Sequence, residues 1–210
     1  MTDYSLYLVT DRDLAAGRDL AELVEQAVLG GVSVVQLREK SSSSREFYLL
    51  ARRMKEITFC LRIPFIVNDR LDIALAVDAD GLHIGQDDLP LLQARKLFPG
   101  KIIGVSVSTL SEALAAQRQG ADYLGVGAVI PTETKIDAKV VTLEQLEQIK
   151  KASDVPVVAI GGINAENLPQ VLKTGVDGVA VVSAILSKRD VTAAARELRE
   201  IIAKRIASKH

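Results

Sequence analysis

Two short apolar runs in this chain each break into acids, and the residue types at those breaks could hold a metal. Phe65-Ile66-Val67 closes in Asn68-Asp69, and Gly81-Leu82-His83-Ile84-Gly85 closes in Gln86-Asp87-Asp88. As parallel strands of one sheet the runs would lie about 5 Å apart, gathering the acids on one rim. Two carboxylates with amide oxygens beside them suit a hard divalent cation, above all Mg²⁺. That ion takes one or two protein carboxylates and completes its shell with water and substrate phosphates. Each aspartate also precedes a helix-like segment and fits an N-cap, so the metal reading rests on the pair, Asp69 with Asp88. Spacing alone does not separate Asp88 from Asp87.

Other residues point to anions. Gln36-Leu37-Arg38-Glu39-Lys40 runs into four serines at 41–44. Arg38 and Lys40, at a mouth that also holds two acids, suit a polyphosphate shared with a metal; taken alone the run equally fits a solvated charged loop. Pro131-Thr132-Glu133-Thr134-Lys135-Ile136-Asp137 fits a lid whose two hydroxyls and one ammonium donate to a phosphate, or a flexible insertion. Gly161-Gly162-Ile163-Asn164 and Val182-Ser183-Ala184-Ile185 fit a cup of backbone N–H groups around a second phosphate, or plain tight turns. His83 fits a hydrogen-bonded core histidine or, from an inward face, a ligand contact. One anion site with a metal and one without imply two phosphorylated substrates.

Eight β-like runs must position these groups: 5–9, 33–37, 65–68, 81–84, 102–106, 123–126, 156–160 and 178–182. Helix-period segments alternate with them, as in Phe47, Leu50, Ala51, Met54 and Leu61, which argues for parallel strands joined by crossover helices. Ser43 with Glu46, Thr109 with Glu112 and Thr142 with Gln145 fit capping boxes. A weak repeat opens every second strand: Gly31-Val-Ser33, Asp78-Ala-Asp80, Gly120-Ala-Asp122 and Gly175-Val-Asp177. Its first residue suits a left-handed helix terminus. Recurrence at every second unit selects an α/β fold of the closed (β/α)8 TIM-barrel type, a single domain over 1–210, over an open doubly wound sheet. Residues two apart in a strand share a face. The set Val35, Leu37, Leu82, Ile84, Leu124, Val126, Val179 and Val181 is uniformly apolar and faces the helices. The mixed set of Val34, Gln36, Arg38, His83, Gly85, Tyr123, Gly125, Gly127, Ala180 and Val182 faces the barrel interior.

Composition narrows the partners. At 210 residues with a net charge of -1, nothing global attracts nucleic acid or an acidic membrane, and the ligand is expected to be small. Cys60 is the single cysteine, so no internal disulfide forms. No run reaches the ~18 apolar residues of a membrane helix. The expectation is a soluble, cytoplasmic protein, with a homo-oligomer compatible with the sequence.

Read in order, these motifs resemble the thiamine-phosphate synthase (thiamine-phosphate pyrophosphorylase) family. The matching stretches are Leu6-Tyr7-Leu8-Val9-Thr10-Asp11, Gln36-Leu37-Arg38-Glu39-Lys40, Asn68-Asp69-Arg70, His83-Ile84-Gly85-Gln86-Asp87-Asp88, Gly104-Val105-Ser106, Thr132-Glu133-Thr134-Lys135, Ile160-Gly161-Gly162-Ile163 and Val182-Ser183-Ala184-Ile185. The resemblance implies a transferase of thiamine biosynthesis. It joins 4-amino-5-hydroxymethyl-2-methylpyrimidine diphosphate to 4-methyl-5-(2-hydroxyethyl)thiazole phosphate with Mg²⁺, through dissociative loss of diphosphate and capture by the thiazole nitrogen. It further implies that Gln36, Arg38, Lys40, Asn68, Ser106 and Lys135 hold the pyrimidine diphosphate, within a binding run that includes Leu37 and Glu39. Arg38, Lys40, Ser106 and Lys135 would act in catalysis and Asp69 and Asp88 would hold Mg²⁺. Thr132, Thr134, Gly162, Val182 and Ser183 would hold the thiazole phosphate. One departure is Ser108, where many members carry histidine. The competing readings are a metal-independent thiazole tautomerase of the same fold, a sugar-phosphate isomerase or decarboxylase using His83 or Glu39, and a non-catalytic phosphate-ligand sensor.

Overall fold

A computed structural model describes residues 2–131 and 140–207. Eight parallel strands, β1 (Leu6–Val9), β2 (Val34–Leu37), β3 (Phe65–Asn68), β4 (Gly81–Ile84), β5 (Ile102–Val107), β6 (Tyr123–Val126), β7 (Val157–Ile160) and β8 (Gly178–Val181), alternate with helices. The strands pair in sequence order, and β8 returns to β1 to close a TIM barrel. The helices are α1 (Leu20–Leu29), α2 (Ser44–Cys60), α3 (Leu71–Ala76), α4 (Leu91–Leu97), α5 (Leu110–Arg118), α6 (Leu143–Ala152), α7 (Leu168–Leu172), α8 (Ser183–Leu186) and α9 (Val191–Ala207). All eight expected strands are present, each end within one residue of its expected place. Among the described residues no helix is long and apolar enough to cross a membrane.

The two faces of the strands build two separate cores. Val35, Leu37, Leu82, Ile84, Leu124, Val126, Val179 and Val181 pack outward against the helices in one large cluster. Tyr7, Val9, Val34, Ile66, Tyr123, Val158 and Ala180 fill the barrel interior, with Tyr4 beneath them. The strict alternation assigns each residue to a face, because in a strand the side-chain period is two. Burying each large outward side chain contributes about 1.5–3 kcal/mol. Two of the three capping boxes form completely, at Ser43 with Glu46 and at Thr142 with Gln145. At α5 only half of the box forms. Thr109 accepts from the Glu112 backbone, while the Glu112 carboxylate accepts from Ser108, backbone N–H at 2.7 Å and hydroxyl at 3.1 Å.

The fourfold repeat has a structural meaning at the lower edge of the barrel. Gly31, Gly120, Gly175 and Asp78 all adopt positive φ and end the preceding helical turn. Two residues later the chain reaches Ser33, Asp80, Asp122 or Asp177, whose backbone N–H donates to Leu6, Phe65, Ile103 or Val157 respectively at 2.8–2.9 Å. The side chain of the same residue accepts from the N–H of that same partner: Asp80 from Phe65 at 2.8 Å, Asp122 from Ile103 at 2.7 Å, Asp177 from Val157 at 2.7 Å, and Ser33 from Leu6 at 3.2 Å. Each contact thus ties the foot of an odd strand to the approach of the next even one. A cation from the helix before the odd strand joins each aspartate: Lys55 to Asp80 at 2.8 Å, Arg95 to Asp122 at 2.5 Å and Lys150 to Asp177 at 2.6 Å. At the fourth position Arg199 of α9 bonds Ser5 and Asp3, so the last helix closes the circle.

The strand N–H is the costly group to orphan, since the aspartate–cation pairs are partly solvated and contribute little. Asp122→Ala is therefore expected to lower stability by about 1–3 kcal/mol, a fall of about 2–4 °C in melting temperature per kcal/mol at this chain length. Asp122→Asn, which keeps an acceptor, should lose less than half as much. Thermal unfolding of the two variants checks this, and equal losses would place the energy in the ion pair instead.

Candidate active site at the barrel mouth

The C-terminal ends of the strands surround one cavity, enclosing about 1090 Å³ of non-protein space that is partly open to solvent. Gln36, Arg38, Asn68, His83 and Ser106 line one side, and Gly161, Gly162, Val182 and Ser183 line the other. Parity explains the first group. In the run after β2, Gln36 and Arg38 turn to the cavity and Lys40 reaches across to within 3.6 Å of Asp69. Leu37 is fully buried against the helices. Glu39 also turns away from the cavity. Its side chain is 1% exposed and accepts from Arg12 Nε at 2.9 Å and from the Ser42 hydroxyl, with its second oxygen left without a hydrogen-bond partner. The run is thus split by strand geometry: Gln36 and Arg38 line the cavity, Lys40 pairs with Asp69, and the side chains of Leu37 and Glu39 turn away.

Asp69 and Asp88 meet. Asp69 sits at φ 61°, a left-handed conformation that aspartate tolerates better than most residues. Its N–H donates to the His83 carbonyl at 2.8 Å, which ties the end of β3 to β4. Asp88 accepts from the Gly85 N–H at 2.7 Å in the turn after β4. Neither caps a helix: α3 follows Arg70 and α4 follows Pro90, and both start without a side-chain cap. Burial, followed by the hydrogen bond and charge of Asp88 beside it, raises the Asp69 carboxyl to about 6, and Lys40 offsets part of that rise. A half-buried carboxyl pair with an ammonium alongside is a donor set that a divalent cation would relieve. Asp87 is exposed. Gln86 does not turn its amide to the acids; its Nε2 donates to the Ser106 carbonyl at 2.7 Å. Among the described residues no group of three or more His, Cys, Asp or Glu side chains is arranged for a metal, so any cation here would depend on water and substrate oxygens for the rest of its shell.

Arg38 is held from both ends. Its N–H donates to the buried Thr10 hydroxyl at 3.0 Å, and its guanidinium lies 3.4 Å from the Asp11 carboxylate. Across the cavity, Gly162 has φ 63°, and a Cβ there would stand 2.7 Å from that of Ile130. Only glycine lets this loop run so close to the one after β6. Thr132, Thr134 and Lys135 lie outside the described residues. Ser108, the departure from the family pattern, is engaged at the start of α5 with Glu112.

The sequence argument missed the floor. Tyr7 and Tyr123 lie under the cavity, their hydroxyls 2.7 Å apart, and they join Gln36 to His83 and Ser106. Burial pushes both phenols above their ordinary range, so they stay neutral. A signal existed: Tyr123 belongs to the inward-facing set, and Tyr7 alternates with outward Leu6 and Leu8. A buried tyrosine at such a position needs a polar partner.

Comparison with known proteins followed the same direction. The thiamine monophosphate synthase family matches residues 6–185. A thiamine-phosphate synthase of Clostridium tetani is 55% identical over 197 residues, covering 93% of this chain and 94% of that protein. One from Alkaliphilus oremlandii is 54% identical, covering 95% and 96%. The solved structure of a thiamine phosphate pyrophosphorylase from Pyrococcus furiosus superposes with a TM-score of 0.91 at 45% identity, over 97% of each chain. A 3-hexulose-6-phosphate synthase structure, at 18% identity and a TM-score of 0.69 over 94% of this chain and 99% of that one, shares the fold alone.

An acid whose pKa is raised on folding destabilises the folded state once it ionises. For Asp69 that penalty is absent below about pH 4, grows as pH rises, and is complete above about 6. In protein free of divalent cations, Asp69→Asn is expected to raise stability at pH 8 by about 1–3 kcal/mol, with no gain at pH 4. Melting curves at the two pH values test this; a variant less stable than wild type at pH 8 would contradict the strained acid pair.

Proposed function

This chain belongs to the thiamine monophosphate synthase family, and we propose that Asp69 and Asp88 hold the Mg²⁺ that its reaction uses. The reaction condenses 4-amino-5-hydroxymethyl-2-methylpyrimidine diphosphate with 4-methyl-5-(2-hydroxyethyl)thiazole phosphate to give thiamine phosphate and pyrophosphate. The carbon–oxygen bond to diphosphate breaks, its electrons leave on the diphosphate, and the thiazole nitrogen lone pair forms the new carbon–nitrogen bond. No strong general base is needed, and the mouth offers none that is unengaged among the described residues.

The observation that carries the metal reading is the acid pair with Lys40 3.6 Å from Asp69, adjoining the cavity wall that Arg38 and Asn68 line. Mg²⁺ bound there would supply neutralisation of the charge that develops on the leaving diphosphate. Arg38 and Lys40 add fixed positive charge at the same edge, where it counts most as the bond breaks. Asn68 and Ser106 flank them. Gly162, Val182 and Ser183 stand opposite and offer backbone N–H groups to the second substrate's phosphate. With one phosphate anchor on each side, the two rings would meet over the Tyr7–Tyr123 floor in line for attack, where most of the gain comes from positioning. The thiazole tautomerase alternative has no use for an acid pair beside two cations. The isomerase or decarboxylase alternative fits poorly with Glu39 turned away and His83 engaged on both ring nitrogens.

Mixing the protein with both substrates and following pyrophosphate tests the reading. Release is expected with Mg²⁺ and lost with chelator; none under either condition would overturn the synthase assignment, and equal release under both would overturn the metal role. Asp69→Ala and Asp88→Ala are each expected to lower kcat/KM about 10²–10³-fold, with an unchanged circular dichroism spectrum.

A further inference from the structure

Five side chains form one hydrogen-bonded line beneath the mouth, running from β2 to β5. Gln36 Nε2 donates to the Tyr7 hydroxyl at 2.8 Å. The Tyr7 and Tyr123 hydroxyls are 2.7 Å apart, Tyr123 lies 2.8 Å from His83 Nδ1, and His83 Nε2 lies 2.9 Å from the Ser106 hydroxyl. Tyr7 and Tyr123 are each 1% exposed, Gln36 5% and His83 8%. Protein neighbours, rather than bulk water, therefore decide where the protons point.

The direction follows from counting. Each phenol has one proton to give, and so does a neutral imidazole. The Gln36 amide N–H donates to the Tyr7 oxygen, and among the described residues Tyr123 is the one partner left to accept the Tyr7 proton, so that proton goes to Tyr123 and the Tyr123 proton goes to His83 Nδ1. That nitrogen is then an acceptor, the ring proton sits on Nε2, and it is donated to Ser106. Two groups remain for the cavity: the Gln36 carbonyl oxygen as an acceptor and the Ser106 hydroxyl as a donor. Reversing any one member reverses them all, so Gln36 and Ser106 are coupled through three buried residues.

We propose that Tyr7, Tyr123 and His83 are positioning residues that set the donor and acceptor polarity of Gln36 and Ser106, and so select an amino-substituted pyrimidine over its oxo counterpart. This deepens the synthase reading and rests on it for the identity of the substrate. An aminopyrimidine offers an exocyclic N–H and a ring-nitrogen lone pair; in the oxo form the exchanged pair is a carbonyl and a ring N–H. Against the Gln36 acceptor the carbonyl of the oxo form meets like with like, and Ser106 must turn its proton away from the ligand to accept the ring N–H. Sites that read a ligand by buried hydrogen bonds discriminate strongly for this reason, because the mismatched partners are left desolvated and unpaired.

The test has a spectroscopic and a kinetic part, both on the full chain. The sequence holds two histidines, His83 and His210, so long-range ¹H–¹⁵N correlation spectra of the imidazoles are readily assigned with a His210→Ala control. His83 of the ligand-free wild type is expected as the single Nε2–H tautomer. Tyr7→Phe, two hydrogen bonds away from the ring, is expected to turn it into a mixture of tautomers, and Tyr123→Phe to do so more fully. In turnover, both variants should cut the kcat/KM preference for the 4-amino over the 4-oxo pyrimidine diphosphate at least tenfold, with KM for the thiazole phosphate unchanged. An Nδ1–H tautomer in wild type, or a Tyr7→Phe spectrum identical to wild type, would overturn the proposal. So would an unchanged amino-to-oxo preference. A wild type that shows the expected tautomers and no turnover would instead count against the synthase reading alone.

Discussion

A backbone N–H at the foot of each odd strand, satisfied by the side chain that leads into the next even strand, sets the register on which the mouth depends. The contact recurs at Ser33, Asp80, Asp122 and Asp177. A strand that slipped by one residue would exchange its two faces. Gln36, Arg38 and His83 would then point into the helices, and Leu37 and Leu82 into the cavity. The three aspartate copies carry a helix cation as well, which ties each unit to its neighbour around the ring.

With the register set, the mouth can hold groups that would be unfavourable elsewhere. Asp69 takes a left-handed backbone and a half-buried position beside a second carboxylate. Such strain persists where surrounding structure over-determines it, here through the N–H bond from Asp69 to the His83 carbonyl across β3 and β4. Lys40 limits the repulsion without removing it. The result is an edge where two acids and a lysine meet, beside a cavity whose far side is lined by Gly161 and Gly162.

Much of this was legible in the amino-acid order. Strand parity placed Gln36, Arg38 and His83 inward, and the repeat at every second strand pointed to a closed ring. Asp78 took the left-handed turn that its three glycine counterparts take. What was hidden lies in side-chain choices that periodicity does not encode. Glu39 alternates correctly away from the mouth, yet motif matching had kept it with its neighbours, as it had Leu37. Ser108 diverted the Glu112 carboxylate from its capping box. The choice of Asp88 over Asp87 as the neighbour of Asp69 needed the turn in which Gly85 donates to Asp88. The line through Tyr7 and Tyr123 joins residues 116 positions apart, and only the closed barrel brings them together.

The central claim is that the mouth binds a diphosphate and a divalent cation as one unit. Calorimetric titration of pyrophosphate into the protein, with and without Mg²⁺, measures that coupling directly. At least tenfold tighter binding is expected with the metal in wild type, and no difference in a variant carrying both Asp69→Ala and Asp88→Ala. Equal affinity with and without Mg²⁺ in the wild-type protein would contradict it.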